Sequence, residues 1–541
     1  MAIKINKPRI HLSSFYLILL LCLSIRCSED EPAATPPDET PDEVPDETVD
    51  TVTIEDAEVT ISENPDNGAV LATMSATTTS DEAIVFAISS EDPAGAMSID
   101  ATSGELVVLD SAHFDFEVNP SLTATISATS GEISASADVT ITLTDVDETE
   151  EPSSPENIWE QVGEDIEGEA DGDQFGYSTS LSADGSILAV GAKNNDGNGS
   201  NSGHARVYRN NGGIWSQIGN DIDGEAAGDL AGWAVSLSDD GTVLAVAAKL
   251  NGGTGIYAGH VRVYENVGDQ WMQMGSDIDA ESDNDLSGQS VCLSGDGSRV
   301  AIGGHYNKDI GIKRGHARVF EYGSGTWNQI GADIDGESDF DESGWSVGLN
   351  HDGSVVAVGA IKNDGNGQDA GHVRVFSDAT GSWVQIGDDI DGEASKNQSG
   401  HAVSLSDDGS IIAIGAPLNS SSVHEGHVRV FENVSSSWIQ IGNDIDGETQ
   451  GSQSGYALCL NGDGTSVVIG AYGYENTTGQ VRVFINESGS WTQVGESIDG
   501  KSEYEYFGLS TSISADGKIV AAGSPVDNGS SGRVKVYQVE E

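Results

Sequence analysis

The residues with the most chemical potential in this sequence recur at fixed intervals. An acidic run, Asp-Ile-Asp-Gly-Glu, stands at 221–225, 333–337, 389–393 and 444–448, with weaker copies elsewhere. Alternate side chains of an extended strand share a face, so each Asp-x-Asp pair presents two carboxylates together, as a cation site could use. Histidines at 204, 260, 316, 372 and 427 each follow a glycine and precede a repeated arginine by two residues. Because these groups come with every copy, they read as structural. The aspartates are expected to cap a crossing loop and pair with the arginine, and the histidines to sit in a strand. An active site breaks such symmetry. No isolated Ser/His/Asp set, Cys/His metal cluster or phosphate loop stands out, so no catalytic residue is assigned and no enzyme activity is expected.

One repeated position does break the symmetry. The residue after a recurring glycine is Tyr177, Trp233, Gln289, Trp345, His401, Tyr456 and then Leu509. The first six are the ligand-binding candidates: aromatic rings gathered around an axis could stack on sugars or on a partner's side chains. Packing between repeats is the competing use of the same rings. Two irregular loops accompany them. His305 to Lys308 with Lys313 and Arg314 makes a basic patch on an acidic body, and Tyr504-Glu505-Tyr506 is a second outlier.

The elements that must hold these residues follow from the period. Tryptophan in a W-x-Q-x-G frame recurs at 159, 215, 271, 327, 383, 438 and 491, and at a second repeat position Asp-Gly stands at 184–185, 240–241, 296–297, 352–353, 408–409, 463–464 and 516–517. Arginine recurs at 206, 262, 318, 374, 429, 482 and 533. A fixed period of this length signals a repeat architecture. Within one copy, Tyr177 to Ser182 alternates as a first strand and Ala183 to Ser186 turns tightly. Ile187 to Ala192, His204 to Tyr208 and Trp215 to Gly219 then supply three more strands. Four-stranded units at this spacing predict an all-β fold, a seven-bladed β-propeller over 158–541. The last copy offers three strands, and its missing fourth occurs at Trp159 to Gly163, which is expected to close the ring. The repeat resembles the FG-GAP propeller repeats of integrin α chains and related bacterial surface proteins, with literal matches at Phe175-Gly176, Phe507-Gly508 and Gly415-Ala416-Pro417. Calcium in the first hairpin, common in that family, is not implied, because the hairpin here is too short to wrap an ion.

Upstream, residues 1–26 combine a basic stretch with an apolar run from Phe15 to Ile25, too short to span a membrane comfortably and suited to a signal peptide. Cys27 and the acidic residues behind it resemble a Bacteroidetes surface-lipoprotein signal, which implies lipidation of Cys27 and a cell-surface, outer-membrane location. Arg26 departs from the small residue usual there, and secretion is the alternative. Residues 27–51 alternate proline with acids, an extended spacer. From 52 to 148 short alternating strands indicate a β-sandwich, followed by a linker at 149–157.

Four segments carry a further resemblance, in order, across 52–148: SENPDNG (62–68), AMSIDATSGELVV (96–108), FDFE (114–117) and TITLTDVDE (140–148). They are similar to a cadherin repeat. The resemblance implies a calcium site with Glu63, Asp115, Glu117, Asp145 and Asp147 as ligands, and Ca²⁺ as a cofactor. Thr78-Thr79-Ser80 and Ser130 depart from the family's acidic positions.

Acids outnumber bases 89 to 23 over the 541 residues, which repels nucleic acid and leaves a lipid anchor as the expected route to a membrane. The expected function is adhesion or recognition at the cell surface, with calcium as a possible aid and a surface protein or glycan as partner. A carbohydrate-binding or polysaccharide-degrading propeller is the alternative.

Overall fold

The computed structural model describes residues 50–65, 67–116, 118–144, 158–419, 424–526 and 531–539. Cys27, Glu117, Asp145, Asp147 and the linker at 149–157 lie outside them. The chain divides into two compact units at about residue 150. Among the described residues no helix is long and apolar enough to cross a membrane.

The first unit is built from short strands around one apolar core. Ser121–Ser130 and Ile133–Thr144 form a long hairpin, flanked by Ile84–Asp92 on one side and by Ala57–Ser62 running parallel on the other. Their alternation places Leu122, Ala124, Ile126 and Ala128 inward beside Val139, Ile141 and Leu143. A second, three-stranded sheet, Val70–Thr73, Glu105–Val108 and Met97–Ile99, covers the same core with Phe86, Leu106 and Phe114. Of the strands that the alternation predicts, 59–61, 105–108 and 139–143 lie within observed strands, and 83–86 does so from Ile84 onward. Ser121–Ser130, rich in Thr, Ser and Ala, was not anticipated.

Among the described residues the second unit holds seven antiparallel sheets, I to VII, each of four main strands. Sheet I runs Phe175–Leu181, Ile187–Ala192, His204–Asn210 and Trp215–Gln217. Sheets II to VI repeat this order, with first strands at Ala231–Leu237, Ser290–Leu293, Ser343–Leu349, Ala402–Leu405 and Ala457–Leu460. Sheet VII takes three strands from the end of the chain, and its fourth is Trp159–Gln161, antiparallel to Arg533–Val539. The second strands are mostly apolar and buried over nearly their whole length, as expected for strands covered on both faces.

Among the hydrogen bonds that join neighbouring sheets are three repeated sets, two of which run through all seven. At the first hairpin, Ala183 N–H donates to Asp239 O, Asp239 to Gly295, Gly295 to His351, His351 to Asp407, Asp407 to Gly462, Gly462 to Ala515, and Ala515 back to Ala183, all at 2.7–3.1 Å. At the fourth strands each indole donates to a backbone carbonyl of the preceding sheet, as Trp215 Nε1 does to Val162 O and Trp159 Nε1 to Val494 O. The other five tryptophans do the same. In the third set an arginine Nη2 donates to the carbonyl of an aspartate in the preceding sheet: Arg262 to Asp223, Arg318 to Asp279, Arg374 to Asp335, Arg429 to Asp391 and Arg482 to Asp446, at 2.5–2.8 Å.

Two expectations change. The acidic motif is not a plain loop: Ile222–Asp223 and its equivalents form a two-residue fifth strand beside the start of the third, with Asp223 opposite His204. Its arginine partner is mostly the backbone rather than the carboxylate, although Arg206 does pair with Asp221 through Nε and Nη2. The seventh arginine is also out of place. Arg533 pairs with Ser524 as His204 does with Ala192, so it holds the histidine position. Lys535 takes the arginine slot, fully buried, and its Nζ lies 3.0 Å from Glu505, which is buried too. Glu505 is thus an internal lock rather than part of a recognition edge.

Removing residues 157–164 strips sheet VII of its fourth strand and bares an edge. Thermal denaturation of the full chain is expected to show a large loss of stability or aggregation. Trp159→Ala alone should cost about 3–5 kcal/mol, the range for a buried large aromatic. An unchanged melting curve for the deletion contradicts this arrangement.

Candidate functional site

The first strands of all seven sheets line one cavity of about 460 Å³. Each of these strands has a glycine with positive φ within two residues of its start, such as Gly232 at +79°, where a Cβ would lie 2.2 Å from His204 O. Glycine therefore permits the close approach that turns the next side chain toward the cavity. The structure brings Tyr177, Trp233, Gln289, Trp345, His401, Tyr456 and Leu509 together along its wall, as the repeat position implies.

The rings form two groups. Tyr177 and Trp233 lie 5.0 Å apart. Trp345, His401 and Tyr456 follow one another at 5.5 and 4.4 Å, and Tyr456 continues to Tyr472 at 4.5 Å and then to Tyr506. Gln289 separates the groups. His401 Nδ1 lies 3.1 Å from Tyr456 O, and burial pulls the imidazole down to about 4, so it is neutral at physiological pH. Burial likewise pushes the Tyr456 phenol up to about 12 and raises that of Tyr177.

A second set of residues at one repeat position, not recognised as a set from the sequence, lies directly after the second strands. Its members are Lys193, Lys249, His305, Ile361, Pro417, Tyr472 and Pro525. Sheets I and II therefore contribute lysines, sheet III a buried histidine whose imidazole is drawn well below its ordinary range by burial and by Lys249 and Lys313, and sheets IV to VII apolar or aromatic side chains. Lys193 Nζ stands 3.4 Å from the centre of the Tyr177 ring and 4.5 Å from that of Trp233, and Lys249 Nζ stands 3.9 Å from Trp233. Ammonium groups over ring faces are attracted by the ring quadrupole. Burial, reinforced by Lys249, draws the Lys193 ammonium down to about 7. Burial draws Lys249 down to about 8, against the opposing pull of Glu342. The signal was available in the repeat: aligned on its period, this position holds two lysines in a chain with few bases.

The basic patch expected at 305–314 is dispersed. His305 is buried against Trp345, Lys313 caps the Tyr306 ring at 3.9 Å, Lys308 donates to Asp283 O, and Arg314 pairs with Asp339.

The FG-GAP repeat family matches residues 167–208. Among solved structures, hydrazine synthase of Kuenenia stuttgartiensis is similar at 14% identity and a TM-score of 0.44, over 70% of this chain and 98% of that one. The periplasmic gluconolactonase of Pseudomonas aeruginosa is similar at 19% identity and a TM-score of 0.42, over 60% of this chain and 85% of the other. No curated protein matches the sequence.

In the first unit, Glu63 and Asp115 come to one end. Phe116 N–H donates to buried Glu63 Oε2 at 2.7 Å, and Asp115 Oδ1 accepts from Val118 N–H. The other three expected calcium ligands, Glu117, Asp145 and Asp147, lie outside the described residues.

The ammonium–ring contacts exist only while the lysines carry a proton. Tryptophan emission is therefore expected to change with a midpoint between pH 7 and 8, as Lys193 and Lys249 lose their charge in turn. The change should vanish in Lys193→Met/Lys249→Met. A flat titration in the wild type, or the same titration in the double variant, contradicts the assignment.

Proposed function

We propose that this chain is a surface recognition protein whose axial cavity binds acidic glycans. In this reading the seven sheets are the blades of a closed FG-GAP-type propeller, and the first unit is a cadherin-like sandwich. The protein is exported and held at the outer surface through lipidated Cys27. The observation that carries the ligand class is the pair Lys193 and Lys249 against the Tyr177–Trp233 faces at the wall of the cavity. A sugar ring offers C–H faces that stack on indole and phenol, and a carboxylate or sulfate on that sugar meets the ammonium groups. The rest of the protein is strongly acidic, so anions are excluded everywhere except at a local cationic site, which sharpens selection.

Binding of uronate-containing or sulfated oligosaccharides, against their neutral counterparts, tests this on a glycan array and by calorimetry. Acidic glycans are expected to bind and neutral ones to bind at least about tenfold more weakly, since 1.4 kcal/mol is a factor of ten. Trp233→Ala and Lys249→Met should each lower affinity by about that factor, and binding should weaken above pH 8. Equal binding of neutral and acidic glycans, or capture of a surface protein that is untouched by these substitutions, refutes the glycan reading.

Calcium belongs to the same proposal through the first unit, where Glu63 and Asp115 support a site completed by Glu117, Asp145 and Asp147. Affinity is expected at the weak extracellular end, about 10⁻⁴ to 10⁻³ M. Millimolar calcium should raise the melting temperature of the wild type by mass action, and should do so less for Glu117→Gln/Asp147→Asn. Stabilisation by magnesium to the same extent removes calcium from the proposal.

A further inference from the structure

At the seams between neighbouring sheets the repeat assembles a glutamate, a histidine and an aspartate. Five such sets occur among the described residues, and within each the nitrogen and carboxylate oxygens lie within 4.8 Å of one another. Between sheets II and III the members are Glu281, His316 and Asp333. The histidine opens a third strand, the aspartate closes the W-x-Q-x-G-x-D segment of the same sheet, and the glutamate arrives from the acidic motif of the sheet before. His316 Nδ1 lies 3.2 Å from Asp333 Oδ2 and 3.8 Å from Glu281 Oε2. Three ligands at bonds of 2.0–2.2 Å on a tetrahedral zinc ion stand about 3.3–3.6 Å apart. The seam is therefore within a few tenths of an ångström of a zinc-sized site.

A second observation points the same way. In the next copy His372 is 1% exposed, and neither of its ring nitrogens has a hydrogen-bond partner. Its Nδ1 faces Asp389 Oδ2 at 3.5 Å. A buried imidazole without a partner forfeits the interactions it had with water, and native structures seldom leave one so. Two carboxylates beside an imidazole also form a cluster that calls for a cation.

The repeated arginine could be that cation, and the copies differ on this point. In the seam before sheet I, Arg206 binds both Asp221 and Glu169 directly, which fills the site. At His260, His316 and His372 the arginine Nη2 is instead committed to a backbone carbonyl of the neighbouring sheet. Its nearest approach to the glutamate is 3.9 Å at Arg318 and at Arg374. At His427 the Nδ1 faces Asn419 Nδ2 at 2.6 Å, so its lone pair is taken. Sheets VI and VII carry Gln480 and Arg533 at the histidine position.

We infer that the seams at His260, His316 and His372 are binding sites for a divalent transition metal of the zinc class, each clamping two adjacent sheets through one imidazole and two carboxylates. Nitrogen–oxygen ligation favours zinc, cobalt or nickel over calcium and magnesium, which prefer all-oxygen shells. The carboxylates are partly exposed, Glu281 at 35% and Asp333 at 22%, so an ion can enter from solvent and water can complete its shell.

The untagged full chain, dialysed against Zn²⁺ with Mg²⁺ in excess, is expected to retain three zinc ions by elemental analysis, and to melt at a higher temperature than the chelator-treated protein. Co²⁺ should give the visible absorption of a four-coordinate centre. His260→Gln/His316→Gln/His372→Gln, which installs the residue that sheet VI carries there, should retain none and lose the thermal shift. His316→Gln alone should retain two, and it serves if the triple variant does not fold. Retention of three ions by the folded triple variant or by His316→Gln, or of none by the wild type, overturns the inference.

Discussion

A cycle of seven backbone hydrogen bonds, from Ala183 through the hairpins of every sheet and back to Ala183, is the constraint on which the second unit depends. Each bond needs its neighbour's hairpin at the right height, so no sheet can tilt or shift without breaking two. The Asp-Gly turns serve this geometry. Asp184 accepts from Ser182 and from Ser186 N–H, which fixes the hairpin from within. Gly185, at φ +67°, lets Ile519 of the adjoining sheet pack where a Cβ would clash. The indole bonds repeat the same constraint farther along each sheet, and Trp159 supplies the member that would otherwise be missing.

Most of the repeated polar residues are consumed by this scaffold. Glutamine of the W-x-Q frame donates to the aspartate four residues on, as Gln217 does to Asp221 at 2.7 Å. Asp229 and Asn251 bond to each other in the interior, and the same pair recurs as Asp173 with Asn195. Serine hydroxyls of the first strands accept from leucine N–H groups of the next sheet, and Cys292 replaces one of them with Sγ at 3.3 Å from Leu349 N. Buried polar groups on this scale are tolerable only because each copy satisfies those of its neighbour. Sheet VII departs most from the pattern. A Lys535–Glu505 pair buried to this depth survives because Lys501 and Ser502 N–H groups also bond the carboxylate.

Function then belongs where the copies differ and the scaffold does not need them to. Two features meet that condition, the aromatic residues of the cavity wall and the lysines that follow the second strands of sheets I and II, of which Lys249 lines the cavity. Two buried ammonium groups inside a chain of this net charge cost desolvation, which draws both below the usual lysine range. The facing rings of Tyr177 and Trp233 offset part of that cost.

The sequence by itself determined the number of copies, the strands within each, and the completion of the last sheet by Trp159 to Gln161, because period and alternation are properties of neighbours along the chain. It also placed the six candidate residues after their glycines, since one repeat position maps to one place in every sheet. Only the tertiary structure decided what those residues meet. Lys193 and Lys249 reach Tyr177 and Trp233 through the pairing of first with second strands, which sets Phe175 against Ala192 and Ala231 against Ala248, and Lys193 also reaches Trp233 of the next sheet. Arg533 looked like the seventh copy of a repeated arginine until strand pairing put Lys535 in that slot, because register is set by hydrogen bonds between strands rather than by residue type. The two-residue strand at Ile222–Asp223 was equally hidden: so short a segment has no periodicity of its own, and it exists because the edge of His204–Asn210 lies beside it.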